Sequence, residues 1–373
     1  MAVTIKDVAR LAGVSPSSVC RALADPARVR PETRESVERA ARELGYHPNR
    51  VARSLITGRT ANLGVVLPDL ANPFFPSVVK SIQTQARRFD YAVFLSDTDE
   101  DPAVEVPAIR ALAKQVDGFL LCSPRAPDED LRSFAGEKPI VVLNRRITPF
   151  PSVTADSTGG MQQAVAHLHA LGHRHLAYVA GPRTSWSNRD RQRGLRAATA
   201  ARGMNLVEIG HVAPTVDGGA AAADLVLATP ATAVLAYNDL IALGLIQRLQ
   251  ARGAEIPGQV SVVGFDDIPV AGLVGPPLTT VAIGKEQIGR VGVDLLLELM
   301  ADAPARSAGP GRRAAARMPA APARSVGLGR GAGPLPADAP GRRTASRDST
   351  GTARRVLPTQ LIVRGSTGPA RQK

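Results

Sequence analysis

Apolar positions near the start of the chain recur with helical spacing. Ile5, Val8, Ala9 and Ala12 fall at i, i+3, i+4 and i+7, one face of a short helix. Thr4 stands at its N-cap, and Asp7 adds favourable charge to the first turn. Gly13 then permits a sharp turn. Ser15 can cap a second helix, and Pro16 suits its first position, where a missing N–H costs nothing. Val19, Ala22 and Leu23 point that helix inward. A third helix is predicted from Pro31, burying Val37, Ala40, Ala41 and Leu44 and stopping at Gly45. Three short helices with a tight glycine turn between the first two make a helix-turn-helix arrangement, a pattern shared with three-helix protein-interaction modules.

From Leu63 the pattern becomes alternating. Apolar runs at Leu63–Leu67, Ala92–Leu95, Gly118–Cys122, Ile140–Leu143, Leu176–Ala180, Ala233–Ala236 and Val260–Phe265 read as strands. Helical stretches at 74–89, 158–171, 188–202, 240–252 and 285–300 fall between them. Repeated βα units with continuously apolar strands imply parallel sheets covered on both faces. Their length suits two similar subdomains with a cleft between them. Residues 303–355 break the pattern. They are Ala, Pro, Gly, Arg and Ser with few large apolar side chains, and are expected to be disordered. A final strand is expected at Leu357–Val363.

Charge sharpens this division. The chain of 373 residues carries a formal +13. Residues 1–60 hold 11 Lys/Arg against 6 Asp/Glu, and residues 304–355 hold 11 Arg against 2 Asp. The body at 61–303 is mildly acidic. A basic head on an acidic body suggests a polyanionic partner for the head. Met1 to Ile5 lead straight into a polar, periodic segment, so no signal peptide is expected. No apolar run reaches membrane-spanning length. Cys20 and Cys122 suggest no disulfide framework. A cytoplasmic protein with no membrane contact is expected.

The start of the second helix is the part of a helix-turn-helix that enters the major groove. Here that is Ser15, Pro16, Ser17 and Ser18, with Arg21 one turn on, able to read guanine in bidentate fashion. The segment Asn49-Arg50-Val51-Ala52-Arg53-Ser54-Leu55 has a capping Asn49 but is too short to hold as a helix alone. Arg50 and Arg53 favour phosphate, and Leu55 suits an apolar wedge in a minor groove. An ordinary interdomain linker fits the same residues.

In open α/β sheets ligands lie beyond the carboxyl ends of the strands. Polar residues at those ends are Asp69 and Asn72, Asn144 and Arg145, Asn238 and Asp239, and Asp266; Arg191 opens a following helix. Such a set suits many hydroxyls at once, and Phe74 and Trp186 could cover apolar ring faces. His167, His169, His173 and His175 lack a Cys or carboxylate cluster, so packing is the expected role, not metal binding. Gly327, Gly329, Gly331 and Gly333 mimic a phosphate loop without its strand and helix. No catalytic constellation, cofactor or metal site is read.

The ordered motifs resemble the lactose-repressor/galactose-repressor family of bacterial transcription regulators. They are Thr4-Ile5-Lys6-Asp7-Val8-Ala9, Gly13-Val14-Ser15, Val19-Cys20-Arg21-Ala22-Leu23, Pro31-Glu32-Thr33-Arg34, Leu44-Gly45-Tyr46 and Ala52-Arg53-Ser54-Leu55 in the head and hinge. In the body they are Asn72-Pro73-Phe74-Phe75, Leu171-Gly172-His173, Asn238-Asp239, Val262-Val263-Gly264-Phe265-Asp266-Asp267 and Pro277-Leu278-Thr279-Thr280. The resemblance covers about 1–303 and 356–368. It implies a homodimer on double-stranded DNA with a near-palindromic operator. Thr4, Pro16, Ser17, Arg21, Asn49, Ala52 and the wedge Leu55 would meet DNA. It implies a two-lobed periplasmic-binding-protein-like core of two parallel-sheet subdomains behind an all-α head. A small-molecule effector, a sugar in preference to a nucleobase, would sit on Asn144, Arg191, Asn238 and Asp266. Cys20 departs from the usual serine of the recognition helix, and Arg30 from a common capping serine. The expected division is head 1–47, hinge 48–60, effector core 61–302 with 356–368, and insertion 303–355. Rival readings are a sugar-transport protein, opposed by the basic head, and an enzyme, opposed by the missing catalytic set. The insertion reads as a tolerated solvated loop or as an Arg-rich arm adding non-specific DNA affinity.

Overall fold

A computed structural model describes residues 3–24, 29–46, 59–302, 344–347 and 351–371, with backbone alone at 344–347. The head is three helices, α1 (Ile5–Ala12), α2 (Pro16–Ala24) and α3 (Pro31–Glu43). They close on a small core of Val8, Ala9, Val19, Ala22, Val37, Ala40 and Ala41; Ile5, Ala12, Leu23 and Leu44, also picked out by the periodicity, pack against it partly buried. Gly13 takes φ 68°, a left-handed conformation that glycine adopts without a Cβ clash, so Val14 N can bond back to the Ala9 carbonyl at 3.0 Å. Arg30 precedes α3 without any side-chain cap, as its replacement of a capping residue implies.

The core alternates strand and helix. In chain order it runs β1 (Asn62–Leu67), α4 (Phe74–Arg87), β2 (Ala92–Asp97), α5 (Pro102–Leu112), β3 (Gly118–Cys122), α6 (Asp128–Arg132), β4 (Ile140–Leu143) and β5 (Ser152–Ala155). The second lobe continues with α7 (Ser157–Ala170), β6 (His175–Val179), α8 (Trp186–Ala200), β7 (Asn205–Ile209), α9 (Val216–Leu227), β8 (Ala233–Ala236), α10 (Asp239–Ala251), β9 (Ser261–Asp266) and β10 (Thr279–Ile283). Helix α11 (Lys285–Asp302) returns to the first lobe, followed by β11 (Thr344–Arg347), β12 (Ala353–Leu357) and β13 (Thr359–Ile362). The first sheet has the order β11-β12-β5-β4-β3-β1-β2 and the second β13-β10-β9-β8-β6-β7. Every pairing is parallel except β11 with β12 and β10 with β13.

The chain crosses between lobes after β5, after β10 and between β12 and β13. Two crossings are tied together: Asp156 N donates to the Leu357 carbonyl at 2.8 Å, and Thr359 Oγ1 donates to the Asp156 carbonyl at 3.0 Å. Helix α11 is held to α4 by Ser81 Oγ donating to the Glu286 carbonyl and by Gln85 Nε2 donating to Asp294 Oδ1.

Three strands, β5, β7 and β10, and three helices, α5, α6 and α9, were not read from the apolar pattern. β5 and β10 are buried yet carry Ser152, Thr154, Thr279 and Thr280, whose hydroxyls break an apolar run. Helix α9 (VDGGAAAADLVL) opens on two glycines, which weaken a helical reading, and its run of alanines gives little apolar periodicity. A Cβ at Gly219 would strike the Ile241 carbonyl, and one at Gly244 the Val216 carbonyl. The small residues let α9 and α10 pack backbone against backbone.

The expected insertion and final strand need correction. β11 and β12 lie within the stretch read as disordered, so strand structure resumes at Thr344 and the core at Ala353 rather than 356. Arg354 and Arg355 look like solvated coil by composition. They sit beside the sheet edge, where pairing with β5 satisfies the backbone while the side chains stay part-exposed. Pro358 splits the single strand expected at Leu357–Val363 between the lobes. Residues 303–343 and 348–350 lie outside the described residues.

Candidate functional sites: the reading helix and the interlobe cleft

In the head, Thr4 N and Oγ1 both donate to Asp7 Oδ2, at 3.0 and 2.7 Å, which fixes the start of α1. The same hydroxyl contact, then the backbone one, holds the Asp7 carboxyl below its ordinary range. Ser15 Oγ accepts from Ser18 N at 3.2 Å and lies 2.8 and 2.9 Å from the Ser17 and Ser18 hydroxyls. This knot caps α2 and presents Pro16, Ser17 and Arg21 as an exposed face. Arg21 Nε donates to the Ser17 carbonyl at 3.3 Å, laying the side chain along the start of the helix. Cys20 is half-buried beside that face. Asn49, Arg50, Ala52, Arg53 and Leu55 lie outside the described residues. The chain leaving them is anchored at once. Asp117 accepts from Thr60 N (2.8 Å), Thr60 Oγ1 (3.0 Å) and Ala61 N (2.9 Å), while Arg59 Nη2 donates to the Met300 carbonyl.

The cleft lies where the strand ends of both sheets face each other. Its first-lobe wall holds Asn72, Phe74, Phe75, Glu100, Ser123, Arg125 and Asn144, and its second-lobe wall Ser187, Arg191, Pro214, Tyr237, Asn238 and Asp266. These walls bring together Asn72, Asn144, Asn238 and Asp266, which the strand-end rule named, with Phe74 and Arg191; Asp69, named by the same rule, is not among the lining residues. Four lining residues have positive φ: Glu100 at 59°, Ser123 at 48°, Asn144 at 56° and Asp266 at 114°. Backbone strain of this kind, where β2, β3, β4 and β9 give way to loops, collects at functional sites.

Arg191 organises the second-lobe wall. Its Nη2 donates to Asp266 Oδ1 at 3.0 Å and its Nη1 to the Tyr237 carbonyl. The guanidinium carbon lies 3.6 Å from the centre of the Phe265 ring and 4.9 Å from that of Tyr237. Among the described residues its Nε has no hydrogen-bond partner. Burial raises the Asp266 carboxyl, and Arg191 and then Lys285 hold it back. Asn238 caps α10 by accepting from Ile241 N at 3.0 Å, and its amide donates to the Pro214 carbonyl.

Arg145 and Trp186 were expected in the cleft and are not on its walls. Arg145 is buried the other way. Its Nη1 donates to the carbonyls of Pro124 (2.7 Å) and Ala126 (2.8 Å), and its Nη2 to Asp128 (2.5 Å), fixing the loop after β3. The left-handed turn at Asn144 sends these neighbours to opposite sides. Trp186 lies under Arg146, 5.7 Å away; its successor Ser187 is the residue that enters the cleft. Ser187 Oγ donates to the Asn144 carbonyl at 3.0 Å, bridging the lobes. Arg125, Glu100, Ser123 and Tyr237 were missed. Ser123 and Arg125 follow an apolar run, so the same strand-end rule would have found them. The remaining cavity is about 20 Å³, room for about one water.

Of the four histidines expected to pack, His173 is buried and His167 half-buried at the base of the second lobe, while His175 is exposed. His173 Nδ1 lies 2.8 Å from Thr232 Oγ1 and its Nε2 3.0 Å from the Gly368 carbonyl, and His167 Nε2 lies 2.9 Å from Thr367 Oγ1.

Behind the cleft Asp239 is fully buried. Ile268 N donates to its Oδ2 at 2.8 Å and Thr280 Oγ1 to its Oδ1 at 2.5 Å. Burial, followed by the nearby Asp266 carboxylate, pushes its pKa from 3.8 up to about 8. The folded chain then holds a proton that the unfolded chain has lost, so this group's contribution falls as pH rises from about 4 to about 8. Asp239→Asn keeps an acceptor for Ile268 N and offers an NH2 to Thr280 Oγ1, whose hydroxyl can turn to accept as it would from a protonated carboxyl, without titrating. We expect it to be as stable as the parent at pH 5, more stable at pH 8, and flatter in urea midpoint between them. An unchanged pH slope would show that Asp239 is ionised in the fold.

A basic helix-turn-helix head on a two-lobed cleft domain defines a ligand-responsive DNA-binding protein. The chain matches the family model described as bacterial regulatory proteins, lacI family, over residues 4–49, and the periplasmic binding proteins and sugar binding domain of LacI family over 60–315. It belongs to the LacI family of transcription regulators. It is 33% identical over 308 residues to the HTH-type transcriptional repressor CytR of Escherichia coli K12, covering 80% of this chain and 90% of that one. Its fold is similar to that of the Lac repressor dimer bound to operator and the anti-inducer ONPF, with TM-score 0.76, 26% identity and coverage of 99% and 100%. It is also similar to the transcriptional regulator CelR in complex with cellobiose, with TM-score 0.63, 29% identity and coverage of 98% and 99%. No helix among the described residues is long and apolar enough to cross a membrane.

Proposed function

We propose that the chain is a homodimeric repressor whose affinity for a near-palindromic operator is switched by a sugar bound in the interlobe cleft. The observation that carries the reading is the cleft itself. Amides, hydroxyls and the Arg191–Asp266 pair converge from two lobes, with Phe74, Phe75 and Tyr237 as apolar surface. That mixture suits a ring with many hydroxyls. The cellobiose bound by the relative CelR supports a sugar in preference to a nucleobase.

The switch follows from how the lobes are joined. A ligand larger than one water enters only if the lobes part, and parting them changes their tilt. The hinge at 48–60, whose root is clamped by Asp117, transmits tilt to the head. A hinge too short to be helical alone holds its helix only when both copies are on DNA, which places the wedge Leu55 in the minor groove. Ligand thereby biases operator affinity through its preference for one tilt.

The test pairs calorimetry with gel shift on an operator selected from random DNA. We expect one of ribose, galactose or cellobiose to bind and to change operator affinity about 5- to 150-fold, the usual range of allosteric coupling. Binding of adenosine or cytidine with no response to any sugar would overturn the sugar reading. A monomer at micromolar concentration in sedimentation would overturn the dimer.

A further inference from the structure

The cleft holds four charged side chains, and each is matched within hydrogen-bond distance by its opposite. Arg191 meets Asp266, as described. On the other wall Arg125 meets Glu100 end-on: Nε donates to Oε2 at 2.6 Å and Nη2 to Oε1 at 2.8 Å. The remaining Arg125 nitrogen, Nη1, donates to the Ser123 carbonyl at 2.9 Å. The Arg125 side chain is 2% exposed and that of Glu100 21%, so the arginine is out of water while the carboxylate keeps part of its solvent. Lys285 stands behind the second pair, with Nζ on the Asp266 and Asp267 carbonyls, and is not itself a lining residue.

An arginine facing a ligand cleft is ordinarily the recognition element for a carboxylate or phosphate, because its fork fits two oxygens. Here Arg125 is filled by Glu100 and the Ser123 carbonyl, and both terminal nitrogens of Arg191 are taken by Asp266 and the Tyr237 carbonyl, which leaves only the Arg191 Nε over among the described residues. An anionic ligand would lose its hydration on lobe closure and find no unmatched positive charge. A neutral polyol loses far less and can meet amides and hydroxyls.

We propose that the cleft selects uncharged ligands and that Glu100, by occupying the Arg125 fork, is its specificity element against anions. This rests on the reading of the cleft as the effector site. It adds that aldonates, uronates and sugar phosphates are excluded while their neutral parents are admitted. Glu100 acts by occupancy: without it, Arg125 becomes a receptor for the acid group it now rejects.

The test uses the full chain and thermal shift backed by calorimetry. The probes are ribose against ribose 5-phosphate, galactose against galactonate, and cellobiose against cellobionate. We expect the parent protein to bind no charged member within a hundredfold of its neutral counterpart. Glu100→Gln should gain at least tenfold in affinity for a charged member, and the E100Q/R125M double variant should lose that gain. The double variant also restores a balanced pair, so it stays informative if Glu100→Gln unfolds; it should then fold and ignore every anion. The proposal is overturned if a charged sugar matches its neutral parent on the wild-type protein, or if folded Glu100→Gln gains no anion. Failure of every neutral sugar, with the Glu100→Gln gain present, would sink the sugar reading and leave the charge rule standing.

Discussion

Arg191→Met is expected to lower the stability of the core by roughly 3–5 kcal/mol at pH 8 and to abolish the effector response. The change deletes the only cation bonded to the Asp266 carboxylate among the described contacts, and leaves that group in a cleft where it is about one-twentieth exposed. It also removes the donor to the Tyr237 carbonyl. The carboxyl has an escape, which is to take up a proton. Burial already raises its pKa and Arg191 is the first influence holding it down. Without the guanidinium the folded value rises further above the unfolded 3.8, so the folded state binds the extra proton over a wider range. The penalty should therefore be smaller at pH 5 than at pH 8, as read from urea unfolding at both. Arg191→Met combined with Asp266→Asn should recover much of the loss, since no charge is then stranded. A loss below about 1 kcal/mol, within the range of exposed pairs, would mean that the pair is solvated and does not shape the cleft.

That expectation rests on a pair the sequence made partly visible. Arg191 and Asp266 were named because one opens a helix and the other ends an apolar strand. Both facts are local. Their contact is not, since the residues are 75 apart and meet only because β8 alone separates β9 from β6, the strand that leads into α8. Arg125 and Glu100 show the limit more sharply. Each follows a strand, yet neither signals that it is bonded to the other. Arg145 and Trp186 failed for the opposite reason. Their position at a strand end and a helix start was right, and a turn of one residue decided which neighbour faced the cleft. The register of a loop after a left-handed residue is set by its partners, here the Pro124 and Ala126 carbonyls, and no periodicity carries it.

The fold was legible where side chains were apolar in runs and obscure where burial was satisfied by hydrogen bonds. Thr280 is fully buried in β10, yet its hydroxyl is bonded to Asp239, so a residue that reads as surface lies in the core. The same holds at the sheet edge, where arginines in β12 hid a strand. The head was legible throughout because its core is seven small apolar residues at helical spacing.

Arg21→Ala is expected to have the largest effect on DNA binding. The side chain is exposed on the face that Pro16 and Ser17 share, and Nε is occupied by the Ser17 carbonyl, which aims the guanidinium along the first turn of α2. A bidentate contact to one guanine contributes about 1–3 kcal/mol of discrimination, and the proposed dimer would lose two such contacts, so operator affinity should fall by about 2–6 kcal/mol. That corresponds to a loss of between about thirtyfold and twenty-thousandfold. The alternative is that Arg21 meets phosphate. The two differ in what they spare. Loss of a base contact weakens operator binding while affinity for random DNA stays near that of the parent; loss of a phosphate contact weakens both and lowers the salt slope by about one per contact. Arg21→Lys separates them further. Lysine keeps the charge and loses the fork, so it should behave like alanine at a guanine and like arginine at a phosphate. Gel shifts of Arg21→Lys on operator and on random duplex therefore decide the matter, and wild-type operator affinity in that variant would place Arg21 on the backbone and move base reading to Pro16 and Ser17.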